Sequence, residues 1–245
     1  MARRDHGAAA EMLGELESAA DRLGEWLQTN LRPVAAAIAA LLVVAGIGAW
    51  IVSARNSAEQ EASNALAQTR TDFLSAMGAA PGAIDVPELA NREAASQIRA
   101  EYEQRYAVVA ATHPGTVAGA LAALEQARLA NEGGRGDEAI GLLEQALSDA
   151  PSDGPVRGMM LQQLAQRLEA AGRWTDAAGR HEAAAQLADY PLRQWALADA
   201  ARCRALAREN TAALALYERL EREAPELPLS DVQKAQRLEL RAAAE

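Results

Sequence analysis

From Pro33 to Ala54 the chain carries no charged side chain: 22 positions between Arg32 and Arg55 hold only Ala, Leu, Val, Ile, Gly, one Trp, one Pro and one Ser. As a helix rising 1.5 Å per residue the run extends roughly 33 Å, enough to cross a hydrocarbon core of about 30 Å. Trp50 and the flanking Arg32 and Arg55 suit the two interfaces of such a span. A secretory signal is the competing reading, because Val52-Ser53-Ala54 offers small residues for cleavage after Ala54. A signal, however, has a short basic start and a shorter apolar stretch, whereas here a long leader with six acidic residues precedes the run. An uncleaved transmembrane helix over 33–54 is therefore expected. Four arginines precede it and only Arg55 and Arg70 follow closely, which places the N-terminus in the cytoplasm and residues 56–245 on the other side.

The leader, residues 1–31, is itself patterned. Leu13, Leu16, Ala20, Leu23 and Leu27 recur at three- and four-residue steps among Glu11, Glu15, Asp21 and Arg22, the mark of an amphipathic helix. It reads either as a docking helix or as a plain continuation of the anchor. After Arg55 a helix runs on to about residue 77, Gly and Pro break the chain over 78–87, and a second helix over about 89–112 carries Ile98, Tyr102, Tyr106 and Val109 on one stripe. These two form a juxtamembrane segment, 55–112.

From residue 113 the polar–apolar pattern becomes periodic. Ala139 and Ala146 are followed by Pro151; Ala177 and Ala184 sit at the same interval, with Asp189 where a proline would stand; Ala213, Leu220 and Pro225 close the series. Each unit has an earlier helix with a small residue at the equivalent place, namely Ala127, Ala165 and Ala201. The units step by 38 and then 36 residues. These intervals resemble the tetratricopeptide repeat, a helix–turn–helix of about 34 residues. The physical reason is packing: two antiparallel helices approach closely only if small side chains occupy the crossing, while a stripe such as Ile140, Leu143 and Leu147 packs on the next unit. A final helix over 229–242 has Ser230 and Gln233 in capping-box spacing and is expected to lay Val232, Ala235 and Leu238 on the array as its terminal cap. The fold class expected is all-α: one N-terminal transmembrane helix followed by a tetratricopeptide-like α-solenoid over 113–245.

Composition supports this and narrows the functions. Half the residues are hydrophobic but only 4% are aromatic, and no alternating strand pattern occurs. Residues 56–245 carry 19 basic against 28 acidic groups, a balance that repels a phosphate backbone, so no nucleic-acid partner is expected. One cysteine, Cys203, excludes an intrachain disulfide. His6, His113 and His181 lie in separate segments with no ligand at metal-binding spacing, and a Cys203–His dyad would have to be assembled from separate repeats, so no metal, cofactor or catalytic residue is assigned. Gly134-Arg135-Gly136-Asp137-Glu138-Ala139 matches a dinucleotide fingerprint in letters only; it follows a helix, not a strand, and reads as an interhelical turn. Glu221 and Glu223 read as a solvated helix face. What remains is surface: Met160, Trp174, Trp195 and Tyr217 are candidate contributors to a partner-binding groove, with Trp195 and Tyr217 equally readable as core.

The stretch "DRLGEWLQTNLRPVAAAIAALLVVAGIGAWIVSARNSAEQEASNALAQ" (21–68), followed by "HPGTVAGALAALEQARLANEGGRGDEAIGLLEQAL" (113–147), resembles the YfgM-type ancillary subunits of the bacterial Sec translocon. The resemblance implies an inner-membrane protein with a periplasmic repeat domain that associates with the SecYEG channel and links it to periplasmic chaperones or exported chains, and it implies no catalytic residues. The alternative is a repeat scaffold for envelope assembly or cell division without translocon association. The oligomeric state is left open.

Overall fold

The structure is a computed structural model that describes Trp26 and residues 30–244. The amphipathic reading of Leu13, Leu16, Ala20, Leu23 and Leu27 lies outside the described residues. Among those residues there are helices and turns and no strands: α1 (Leu31–Ala76), α2 (Arg92–Thr112), α3 (Val117–Glu132), α4 (Gly136–Asp149), α5 (Gly154–Ala170), α6 (Trp174–Gln186), α7 (Arg193–Leu206), α8 (Asn210–Glu223) and α9 (Asp231–Ala244). The chain divides into two compact units, 1–56 and 57–245.

Within the first unit, the apolar part of α1 is long and apolar enough to cross a membrane. Among the described residues its large side chains are left open: Leu41, Val44 and Trp50 are each about seventy per cent exposed, and Ile47 and Val52 are exposed too. A helix of a water-soluble fold would bury such a face.

The second unit is a stack of helix pairs. Each helix from α2 to α9 packs on its successor, and α3, α5, α7 and α9 also touch one another in series, so these four form the inner layer and α4, α6 and α8 the outer. The turn between the members of each pair is the same structure three times over. At the end of α3, Arg135 N donates to Ala130 O and Gly134 N to Asn131 O; at the end of α5, Arg173 N donates to Leu168 O and Gly172 N to Glu169 O; at the end of α7, Glu209 N donates to Arg204 O and Arg208 N to Ala205 O. This doubly bonded helix end needs one residue in the left-handed region, and Gly134 (φ 80°), Gly172 (φ 73°) and Arg208 (φ 66°) fill it at intervals matching the sequence period. The small residues of the repeat lie where helices meet: Ala127, Ala139, Ala165, Ala177, Ala184, Ala201, Ala213 and Leu220 are buried, Ala146 and Pro151 half-buried, and Pro225 exposed.

Arg208 alone fills the left-handed position with a side chain, at a steric cost of about 1 kcal/mol relative to glycine. The substitution Arg208→Gly is accordingly expected to stabilise the protein by about that amount, read as a higher urea midpoint at unchanged m-value.

Residues 57–112 share a core with the first repeat. Phe73 of α1 and Met77 just after its end pack with Tyr102, Tyr106 and Val109 of α2 and with Ala122 and Leu129 of α3. The Phe73 ring lies 5.2 Å from that of Tyr102 and meets Tyr106 edge-on at 6.4 Å. Glu59 of α1 reaches across 58 residues to accept from Val117 N (2.8 Å) and Ala118 N (3.0 Å), satisfying two free donors at the start of α3 with a negative charge where the helix dipole favours one.

At the other end the capping box forms: Ser230 N donates to Gln233 Oε1 (3.0 Å) and Gln233 N to Ser230 Oγ (3.3 Å). The face that α9 presents to the array differs from the expected one. Gln233 and Leu240 are buried, whereas Val232 and Leu238 are more than sixty per cent exposed and Ala235 is exposed as well. The reason is polar: Gln233 donates to Asp199 of α7 (3.4 Å), Tyr217 donates to Gln236 (3.2 Å), and Arg237 and Arg241 both bind Glu221 of α8. Those bonds fix the rotation of α9 and turn the aliphatic stripe outward. Glu221 is therefore an interhelical tie and not a merely solvated carboxylate.

Candidate partner-binding groove

Of the four side chains assigned to a binding surface, two are not on the surface. Met160 is completely buried in the main core among α5 and its neighbours, and Tyr217 is 1% exposed in the cluster that joins α7, α8 and α9. Both stand on helix faces that the stacking of successive pairs closes, which a helical period cannot distinguish from a face left open. Trp174 is half-buried at the start of α6. Trp195 keeps 37% of its surface exposed, and Leu192 before it is 44% exposed.

An open, partly apolar concavity lies elsewhere, between α1, α3, α4 and α5. It has a volume of about 430 Å³, with Leu66, Leu121, Leu124, Leu143 and Met159 as apolar walls and Arg70, Glu125, Arg128, Gln163, Gln166 and Arg167 as polar ones. Its position follows from the layer order: α3 and α5 are inner helices, and the end of α1, held by the Phe73 contacts, forms a side wall. Arg128 is bound to Glu125 (2.8 Å) and to Glu132 on its own helix.

One chemically dense cluster is assembled from three consecutive helices. Glu169 of α5 accepts from Arg202 Nη2 at 2.9 and 2.7 Å, and His181 Nε2 of α6 lies 2.8 Å from Glu169 Oε1. Cys203 of α7 completes the group, with ligand atoms of Glu169, His181 and Cys203 all within 4.8 Å. Burial disfavours the Glu169 carboxylate, but hydrogen bonds from His181 and Arg202, the Arg202 charge and the Cys203 thiol outweigh it and draw its carboxyl down to about 2. Glu169 therefore remains ionised at neutral pH and can only accept, which puts a proton on Nε2; Nδ1 is buried with no hydrogen-bond partner among the described residues. Burial first, and the adjacent Glu169 charge second, push the Cys203 thiol up to about 12.

Glu, His and Cys are suitable donors for a soft divalent metal, yet the arrangement here works against one. The carboxylate is already engaged by a guanidinium whose positive charge would face the ion, and His181 and Cys203 are both fully buried. A nucleophilic reading fails on the same ground, since the thiolate is the reactive form and this thiol is fully buried. The cluster is a structural tie across three helices. Sequence spacing treated these residues as separate; the signal that connects them is a separation a few residues short of one repeat. Glu169 and Arg202 are 33 residues apart, Glu103 and Arg135 are 32 apart and ion-paired, and Thr175 donates to Glu209 34 residues on.

Comparison with known proteins adds a likeness of fold only. No family model matches the chain, and no curated protein matches it. Among solved structures it is similar to the nearly identical TPR-like repeats of a Podosopora anserina protein assigned as a kinesin light chain: 21% identity, TM-score 0.45, covering 61% of this chain and 79% of that one. A single-substitution variant of the same protein matches equally, with 78% of its chain covered.

Proposed function

We propose that the protein is a membrane-anchored adaptor that holds partner polypeptides beside the bilayer, with the 33–54 segment as a permanent anchor and the repeat unit as the binding module. The observation that carries this reading is the pairing of an unpartnered apolar helix with a stack of helix pairs that leaves an inner concavity open. A helix-pair stack presents an extended surface and little else, and protein–protein interaction is the activity such a surface supports. The resemblance of residues 21–68 and 113–147 to YfgM-type subunits favours the Sec translocon as the partner at the membrane, and exported chains or periplasmic chaperones as partners of the repeats, with the N-terminus cytoplasmic and the C-terminus periplasmic.

The test is photocrosslinking in membranes from positions within 56–80, combined with determination of the mature N-terminus. Recovery of translocon subunits by an uncleaved protein supports the proposal. Recovery of cell-wall machinery alone would favour the envelope scaffold instead, and a mature N-terminus at Arg55 would remove the anchor.

A further inference from the structure

We infer that the concavity between α1, α3, α4 and α5 is a docking groove for an acidic amphipathic segment of a partner polypeptide. The inference rests on the adaptor reading above and specifies the chemistry of what is held.

Charge selects the occupant. The second unit is acidic as a whole, but the charged groups that line this concavity are three guanidiniums, Arg70, Arg128 and Arg167, and a single carboxylate, Glu125. Glu125 is spent on Arg128, which Glu132 also binds. Arg70, on the α1 wall, and Arg167, on the α5 wall, have no carboxylate within ion-pairing distance among the described residues. Two guanidiniums without an internal counterion therefore border an apolar floor of Leu121, Leu124 and Met159, with Met159 44% exposed. A floor of that kind accepts aliphatic side chains, and planar forks at its margins match carboxylates bidentately. Gln163 and Gln166 beside Arg167 supply further neutral donors and acceptors.

The alternatives fit less well. A nucleic acid or an anionic lipid surface is a larger anion, and it would meet the negative field of the remainder of the unit around these two arginines. A basic segment would place its charges against Arg70 and Arg167. A second copy of the chain offers the exposed Val232 and Leu238 of α9, but the charges beside them are mixed and largely paired, Lys234 with Asp231 and Arg241 with Glu221, and form no acidic margin for Arg70 and Arg167.

The full-length protein in zwitterionic lipid nanodiscs tests this by fluorescence anisotropy. The probe is a short synthetic peptide with Leu on one helical face and Glu on the other, the control is the same peptide with Lys for Glu, and empty nanodiscs give the background. The expected result is binding of the Glu peptide, no binding of the Lys peptide, and weakening by roughly tenfold in Arg70→Glu/Arg167→Glu, as for loss of two charge contacts at an interface margin. Neither arginine holds an ion pair among the described residues, so the variant should keep the wild-type urea midpoint; if it unfolds, Arg70→Gln/Arg167→Gln takes its place. Absence of Glu-peptide binding, equal binding of the Lys peptide, or an unchanged affinity in the variant would overturn the inference, as would self-association of the protein that those substitutions abolish. Translocon crosslinking in the arginine variant separates the two claims: retained crosslinks with unchanged peptide binding reject the groove and leave the adaptor standing, whereas lost membrane contacts in the wild type reject the adaptor first.

Discussion

Replacing Glu169 by alanine is expected to lower the unfolding free energy by about 3 kcal/mol, because it leaves a half-buried Arg202 with only its longer contact to Asp199 (3.5 Å) and a buried His181 without its acceptor. The three helices α5, α6 and α7 lose their common tie at once. Glu169→Gln, which keeps the shape and one carbonyl acceptor, should cost less. The two variants separate charge from packing.

The same carboxylate carries a signed pH dependence. Its folded-state value, about 2, lies below the ordinary 4.5 of an unfolded glutamate, so the unfolded chain takes up a proton first as the solution is acidified. The stabilisation is fully present above 4.5 and disappears as pH falls from there toward 2. Urea unfolding of the wild type and of Glu169→Gln should thus show a stability gap that is constant near neutrality and narrows across that window. A gap independent of pH down to about 3 would mean that the carboxylate charge contributes nothing to holding the helices together.

The second large effect is expected at Gly158. A methyl group added there falls on the Tyr190 ring, within 2.7 Å of Cε2 and nearer still to two other ring atoms. Tyr190 is 2% exposed and its hydroxyl donates to Gln162 on the next turn of α5, so the ring has no open space to swing into. Gly158→Ala should therefore destabilise the protein by about 1–3 kcal/mol although alanine is the better helix former, because overpacking exceeds the propensity gain. A double-mutant cycle with Tyr190→Leu checks the cause: the double variant should lose less than the two single variants together. Additive losses would place the strain elsewhere.

Both effects sit at positions where sequence reasoning was silent, and for the same reason. Gly158 is one glycine in a helix, and nothing in its neighbours announces that a tyrosine 32 residues on will close over it. Glu169, His181 and Cys203 each look like ordinary members of amphipathic helices. The groove is a similar case. Large apolar side chains were the obvious markers of a sticky surface, yet Tyr217 and Met160 are interior, and the concavity is lined by leucines and by Arg70 and Arg167, which have no ion-pair partner among the described residues. Absence of a partner has no sequence pattern.

What could be read from the chain alone was whatever depends on local periodicity. The uncharged run of 22 residues, the recurrence of small residues at 38 and 36, the Gly-containing turns and the Ser230–Gln233 capping box are all set by contacts within one helix or between two adjacent ones, and a fixed interval records them. The tertiary structure decided the rest: which faces of the stacked helices remain open, how α9 is rotated so that Val232 and Leu238 point outward, and which charges from different repeats neutralise one another. Those outcomes depend on the summed geometry of several pairs, where a rotation of one helix exchanges its buried and exposed sides while its sequence pattern stays the same.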